Sequence, residues 1–146
     1  AVCQVIQNQL AKAGINVKID IYDSSTYYDH ANKGEFDLAF YFWICAAGHA
    51  DYQYYSLLHS SQKGPGGNRS FYDNDKADAY IEAARNTLDT KVSLENYKKL
   101  EEIVYEESPN AILCYTNLNV GASRKVDGFV MQPAGYHNLE TVVVYK

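Results

Sequence analysis

The 146-residue sequence predicts an α/β domain. Helix-like and strand-like segments alternate from the first residues in the order helix, strand, helix, strand, which favours a βαβ crossover and a parallel pair. The two strand-like segments also differ in kind. Residues 15–23, "INVKIDIYD", alternate strictly between apolar and polar, whereas residues 36–44, "FDLAFYFWI", are almost continuously apolar. The first pattern suits a strand with one covered face, the second a strand buried on both faces.

Each element has its own signal. Val2, Ile6 and Leu10 share one helical stripe with Val5 beside it, and Gly14 reads as the C-cap. Ile15, Val17, Ile19 and Ile21 then form the apolar face of the first strand, opposite Asn16, Lys18 and Asp20. "SSTYYDHANKGE" reads as a short helix capped by Ser24 or Ser25 and stopped at Gly34. Beyond the second strand and the loop "WICAAGHAD", Tyr54, Leu57 and Leu58 suggest a helical segment ending before "SSQKGPGGNRS". That Gly/Pro/Ser/Asn cluster is a loop and not a phosphate cradle, because no Lys-Ser/Thr follows its last glycine. Asn68-Arg69-Ser70 fits a glycosylation sequon, a tripeptide common by chance.

"DNDKADAYIEAARNTLD" predicts a helix with Ala77, Tyr80, Ile81, Ala84 and Leu88 on one face and acids at its start to suit the dipole. "SLENYKKLEEIVYEESP" predicts another, with Leu94, Tyr97, Leu100 or Glu101, and Val104 at helical spacing and Pro109 beyond its end. Its Lys and Glu residues read as a solvated face. "AILCYTNLNVGAS" and "ETVVVYK" read as further strands. There is no internal repeat.

A chain of this length forms one domain, residues 1–146, burying about 68–70% of its unfolded surface. Net charge is −5 with acids and bases interspersed, so nucleic acid and anionic membrane are poor partners. No apolar run reaches the roughly 18 residues a membrane span needs. The first residues lack the charged and apolar regions of a signal peptide, and without an initiator Met the chain is expected to have been processed or cut from a longer one. The 14 Tyr, beside Trp43 and five Phe, fit either a ligand-holding surface or a Tyr-rich core. Cys3, Cys45 and Cys114 lack the spacing of a zinc or redox motif and read as small buried hydrophobes, with Cys45 and Cys114 able to pair only if their strands are neighbours.

Catalysis and metal binding find little support. His30, His49, His59 and His137 are scattered, and no two of them have the spacing of a metal motif. A Cys45, His49, Asp51 arrangement can be drawn in the loop, but neither a nucleophile elbow nor a Gly-rich oxyanion loop accompanies it. His49, Asp51 and His59 are the corresponding metal candidates. The expectation is no catalytic residue, no metal and no cofactor.

The segment "VIQNQLAKAGINVKIDIYDSSTYYDHANKGEFDLAFYFW" resembles the C-terminal lobe of the family 5 extracellular solute-binding proteins, the dipeptide, oligopeptide and nickel receptors of bacterial ABC importers. The likeness continues through "SLLHSS", "SFYDNDKADAYIEAARNTLD", "ENYKKLEEIVYEESPNAILCY" and "VDGFVMQPAGYHNLETV". It implies a periplasmic-binding-protein-like class II lobe, a mixed sheet flanked by helices, facing an N-terminal lobe absent here across a ligand cleft. A strand preceding Ala1 would also be absent. The implied protein is no enzyme: it captures a small solute, most simply a peptide, outside the cytoplasm, in the periplasm or at the cell surface, lipid-anchored in its full-length form. It then delivers the solute to a membrane permease.

In peptide-binding members the second strand ends in Gly-Trp, and an Asp three residues after the Trp pairs with the ligand's ammonium. Here Phe42 stands at the Gly position, Trp43 matches, and the Asp position is Ala46. Asp51 is a substitute only if the loop folds back, with His49 as a donor. The alternative is a solute without a cationic end, such as a blocked peptide, an oligosaccharide or a metal chelate. The resemblance makes Phe40, Phe42, Trp43, Ile44, Cys45, Ala46, His49 and Asp51 the candidate ligand contacts, with main-chain groups of 44–46 bonding an extended ligand. For Phe40, Phe42, Tyr52, Tyr54 and Tyr55, stacking on a sugar and plain packing both remain open.

Overall fold

Short polar side chains set where the helices begin. In the computed structural model, which describes residues 2–46, 48–132 and 134–146, α1 spans Val2–Lys12, α2 Ser24–Lys33, α3 Ala50–Leu58, α4 Asp75–Arg85 and α5 Thr90–Glu107. The cap of α2 is Asp23 rather than either expected serine: its Oδ1 accepts from the N–H groups of Ser25 (3.0 Å) and Thr26 (3.1 Å). Side-chain hydrogen bonds from Ser25 and then Thr26 hold this carboxyl well below the usual carboxylate range. Gly34 ends the helix as expected, at φ 72°, where a residue with a Cβ would be strained. Asn74 and Asp89 cap α4 and α5 in the same manner as Asp23.

The buried core lies among the last three helices. Leu57 and Leu58 of α3, Ala77, Ile81 and Ala84 of α4, and Tyr97 and Leu100 of α5 form one cluster, with Tyr41, Trp43, Tyr54, Tyr55, Tyr72, Tyr80 and Val104 packed against it. Full burial of Ile81 and Leu100 contributes about 2 kcal/mol each. The choice between Leu100 and Glu101 resolves to Leu100; Glu101 instead accepts a 2.7 Å hydrogen bond from Tyr54 Oη. Two expected core residues lie outside. Leu88 is fully exposed because α4 stops at Arg85, and Leu94 is exposed on the solvent side of α5.

The loop between α3 and α4 folds around Asn68. Two short 3-10 turns, Ser60–Gln62 and Gly64–Gly66, bring the Asn68 side chain into a fully buried position. Its Nδ2 donates to the carbonyls of Leu58, His59 and Tyr72, and its Oδ1 accepts from Ser70 Oγ and the Tyr72 N–H. The sequon asparagine is thus a structural residue with no room for a glycan. The loop is locked to α2: Arg69 Nε donates to Asn32 Oδ1 at 3.1 Å, and a Cβ on Gly64 (φ 72°) would stand 2.4 Å from the Asn32 carbonyl oxygen.

Strand formation departs from expectation. Among the described residues the ladders are short antiparallel pairs, β1 (Val126–Asp127) with β4 (Val143–Val144) and β2 (Val130–Met131) with β3 (His137–Asn138). Residues 15–23, 36–44 and 111–123 are extended in sequence character but join no ladder, so the expected parallel pair and βαβ crossover are not formed among the described residues. A ladder needs a second backbone in register, and among the described residues these segments have no such pairing. The consequence is exposed apolar surface at Ile21, Leu38, Phe42, Ile112 and Tyr115. All three cysteines are free; Cys114 is exposed and Cys3 and Cys45 are half-buried, which corrects both the pairing and the buried-hydrophobe expectations.

Candidate functional site

The stretch 36–44 keeps its period of two without a ladder. Tyr41 and Trp43 turn toward the helix core, whereas Phe40, Phe42 and Ile44 are 49%, 58% and 42% exposed. Tyr41 Oη donates to Asn110 Oδ1 at 3.2 Å, tying this stretch to the chain beyond α5. Trp43 stacks on Tyr52 with ring centroids 5.6 Å apart, and a Cβ on Gly67 would meet Trp43 Cη2 at 3.3 Å. The Trp43 Nε1–H is buried and has no hydrogen-bond partner. Trp43 therefore lies beneath the loop, and the open aromatic face is that of Phe40 and Phe42. This face borders a cavity of about 290 Å³ whose other walls are Tyr22, Ser24, Tyr27, Tyr28 and Tyr41.

The chain then turns sharply. The Ala46 N–H donates to the Ile44 carbonyl (3.0 Å), the Gly48 N–H to the Cys45 carbonyl (3.1 Å), and Cys45 Sγ to the His49 carbonyl (3.3 Å). Of the main-chain groups expected to meet a ligand, the Ala46 N–H is thus already used. The N–H groups of Ile44 and Cys45 have no hydrogen-bond partner among the described residues.

His49 caps α3, its Nδ1 accepting from the Asp51 N–H at 3.1 Å. The Asp51 carboxylate points elsewhere, with Oδ1 3.2 Å from Arg85 Nε. Arg85 lies over the Tyr55 ring at 3.6 Å and has Glu82 Oε1 3.7 Å from Nη1. Hydrogen bonding to Ser61 and then to Arg85 holds the phenol of half-buried Tyr55 below its ordinary value. His59 sits at the end of α3, where Nδ1 accepts from the Ser61 N–H at 3.1 Å and Nε2 is 3.3 Å from Glu82 Oε1.

These contacts dissolve the alternative clusters. The Cys45 thiol meets a backbone carbonyl and not the His49 ring, and the His49 ring meets the backbone and not the carboxylate of Asp51, so no nucleophile, base and orienting acid are linked. His49, Asp51 and His59 are each engaged separately, and among the described residues no three His, Cys, Asp or Glu side chains converge as a metal site. Sequence reasoning missed Arg85, the partner of Asp51, and Tyr22, Tyr27 and Tyr28, which line the cavity with Phe40 and Phe42. For Arg85 a signal existed: it follows Ile81 by four residues and so lies next to it on the same side of α4.

Residues 1–65 match the family model described as bacterial extracellular solute-binding proteins, family 5 Middle. Over this segment the chain is similar to the family 5 extracellular solute-binding proteins. The probable D,D-dipeptide-binding periplasmic protein DdpA of Escherichia coli is 32% identical over 87% of this chain and 25% of its own length. The dipeptide-binding protein of the same organism is 26% identical over 97% of this chain and 26% of its own length. The chain spans about a quarter of the length of the curated relatives it matches. Among solved structures, HbpA2 from Haemophilus parasuis aligns with a TM-score of 0.72 at 24% identity, over 99% of this chain and 28% of that one. The ABC transporter-associated periplasmic binding protein DppA from Helicobacter pylori, in complex with peptide STSA, aligns with a TM-score of 0.65 at 33% identity, over 71% of this chain and 21% of that one. The likeness bears out the expected periplasmic-binding-protein-like α/β class, and these family 5 relatives are binding proteins.

Proposed function

We propose that residues 1–146 act as the C-terminal lobe of an extracytoplasmic solute-binding receptor of an ABC importer, holding a small peptide against an N-terminal lobe of the same polypeptide. The carrying observation is the family 5 match of residues 1–65, which includes the exposed Phe40–Cys45 stretch, whose Ile44 and Cys45 N–H groups have no partner among the described residues. An extended ligand pairs its carbonyls with such donors and leaves side-chain identity loosely read, as an importer of mixed peptides requires. Phe40, Phe42, Ile44, Cys45 and Ala46 contact the ligand in this reading. Trp43 supports the stretch from beneath, and His49 and Asp51 shape the turn.

The open edges of 15–23 and 36–44 fit the same reading, since the rest of a receptor about four times longer supplies neighbours for them. The protein catalyses no reaction. Ligand shifts the receptor from open to closed by contacting the closed form better, and the closed form is offered to the permease. The location is the periplasm or the cell surface, with a lipid anchor on the full-length protein. Nucleic acid is not a partner.

Mass spectrometry of the solute that co-purifies with the two-lobe receptor tests this: peptides are expected, and finding only sugars or metal overturns it. Peptide fragments accumulating on long incubation, and lost on replacing His49 or Asp51, would instead establish a hydrolase.

A further inference from the structure

One histidine joins the α3–α4 connection to two acids of α4. His59 follows α3 with its side chain only 12% exposed, and its Nδ1 accepts from the Ser61 N–H at 3.1 Å. A backbone N–H can only donate, so Nδ1 carries no proton, the ring is neutral and its hydrogen is on Nε2. That nitrogen stands 3.3 Å from Glu82 Oε1. Asp78 Oδ1 lies 3.9 Å from Nδ1 while accepting from the Ser60 N–H at 3.0 Å. Two carboxylates thus face a ring whose role in this turn requires it to be uncharged. Arg85, the nearby cation, is shared between Glu82 and Asp51, and Tyr55 lies against the His59 ring with centroids 4.9 Å apart. Asp78 has no cation within ion-pair distance other than His59 among the described residues. His49 caps α3 through the same ring atom, but there no carboxylate stands within ion-pair distance among the described residues.

Protonation of Nδ1 reverses these relations. The cap becomes a donor facing the Ser61 donor, while the positive ring gains Asp78 and Glu82. A charge-assisted hydrogen bond is roughly twice as strong as a neutral one, so the new partners outweigh the lost cap. The change has a route to the Phe40–Cys45 stretch. The His59 carbonyl accepts from the Gln62 N–H at 3.0 Å and from Asn68 Nδ2 at 3.1 Å, and next to Asn68 is Gly67, where a Cβ would meet Trp43 Cη2 at 3.3 Å. We infer that His59 is an acid-operated latch. Neutral, it caps the Ser60–Gln62 turn and holds residues 60–68 over Trp43; protonated, it turns to Asp78 and Glu82 and lets that loop go. The latch is independent of which solute the receptor holds.

Isotope-edited NMR of the two-lobe receptor, labelled at histidine and tryptophan and assigned with His59→Asn and Trp43→Phe, tests this. At about pH 7.5 the His59 ring is expected with its proton on Nε2, and between there and about pH 5 the Trp43 indole signal is expected to shift in step with His59 titration. Exchange of the Ser61 and Asn68 amides, corrected for intrinsic rate, should rise about tenfold over the same range. A proton on Nδ1 at the higher pH, a ring that stays neutral throughout, or a Trp43 signal indifferent to His59 overturns the latch. His59→Asn keeps a neutral acceptor for the Ser61 N–H but takes no proton, so it is expected to fold and to abolish the Trp43 response. A response that survives in folded His59→Asn receptor also overturns the latch, because another group then carries it. Where that variant fails to fold, the wild-type tautomer and the Trp43 shift decide.

Discussion

Asn68 concentrates five hydrogen bonds in one fully buried side chain, joining the end of α3 at Leu58 and His59 to Ser70 and Tyr72. Asn68→Asp removes both donors and puts a carboxylate among the Leu58, His59 and Tyr72 carbonyls, leaving buried acceptors unsatisfied. The expected loss is about 3 kcal/mol, read as a lower denaturant midpoint with little change in slope. None of this was legible in the tripeptide Asn68-Arg69-Ser70, because a sequon specifies a covalent acceptor and says nothing of burial. The site shows the same limit. Ala46 at the turn is visible in sequence, but the capture of Asp51 by Arg85 depends on α3 and α4 meeting in space, 34 residues apart in the chain.

Among elements, the helices were readable and the strands only half so. Period and capping chemistry are local, so Gly34 stops α2, and Ile81 and Leu100 lie in the core. Where periodicity overran a helix end, as at Leu88, spacing alone could not reveal that Asn86 had already left the helix. Strand pairing depends on a second backbone, which the alternation of 15–23 does not encode; the alternation foretells only which side chains share a face. For 36–44 the expected burial on both faces holds on one side only: Tyr41 and Trp43 pack on the core, while Phe40 and Phe42 stand exposed. The α4–α5 contact supports a prediction of its own. Ile81→Ala leaves a cavity facing Leu100 and is expected to destabilise by about 3–4 kcal/mol, whereas Leu94→Ala on the exposed face of α5 is expected to change stability by under about 0.5 kcal/mol. Urea titrations of the two variants check the contrast.

At the scale of the whole molecule, two carboxylates tie stability to acid pH. Asp23 is held low by hydrogen bonds from Ser25 and Thr26, and Glu107 by hydrogen bonds from Tyr72 and then Asn74. A depressed folded-state value means that the stabilisation is present above the unfolded value of about 4 and is lost as pH falls through the lower folded value. Stability is therefore expected to decline below about pH 4, and Asp23→Asn with Glu107→Gln is expected to flatten that decline in Tm measured against pH. The asparagine keeps the α2 cap, so the slope and not the helix is tested.

The exposed apolar stretches carry the last prediction. A cleft holds its ligand by burying most of the ligand's surface, and affinity depends on walls from both sides. This chain offers the Phe40–Cys45 stretch and a cavity of about 290 Å³ open to solvent, one wall in all. A tripeptide laid on it keeps its outer face hydrated while still losing translational and rotational freedom, a cost of several kcal/mol that two N–H donors worth about 1 kcal/mol each do not offset. Isothermal titration of the isolated 146 residues with a random tripeptide library is expected to give dissociation constants weaker than micromolar, while the two-lobe receptor binds more tightly. Micromolar or tighter binding by the isolated chain would show that this lobe forms a complete site, and the second wall would then be unnecessary.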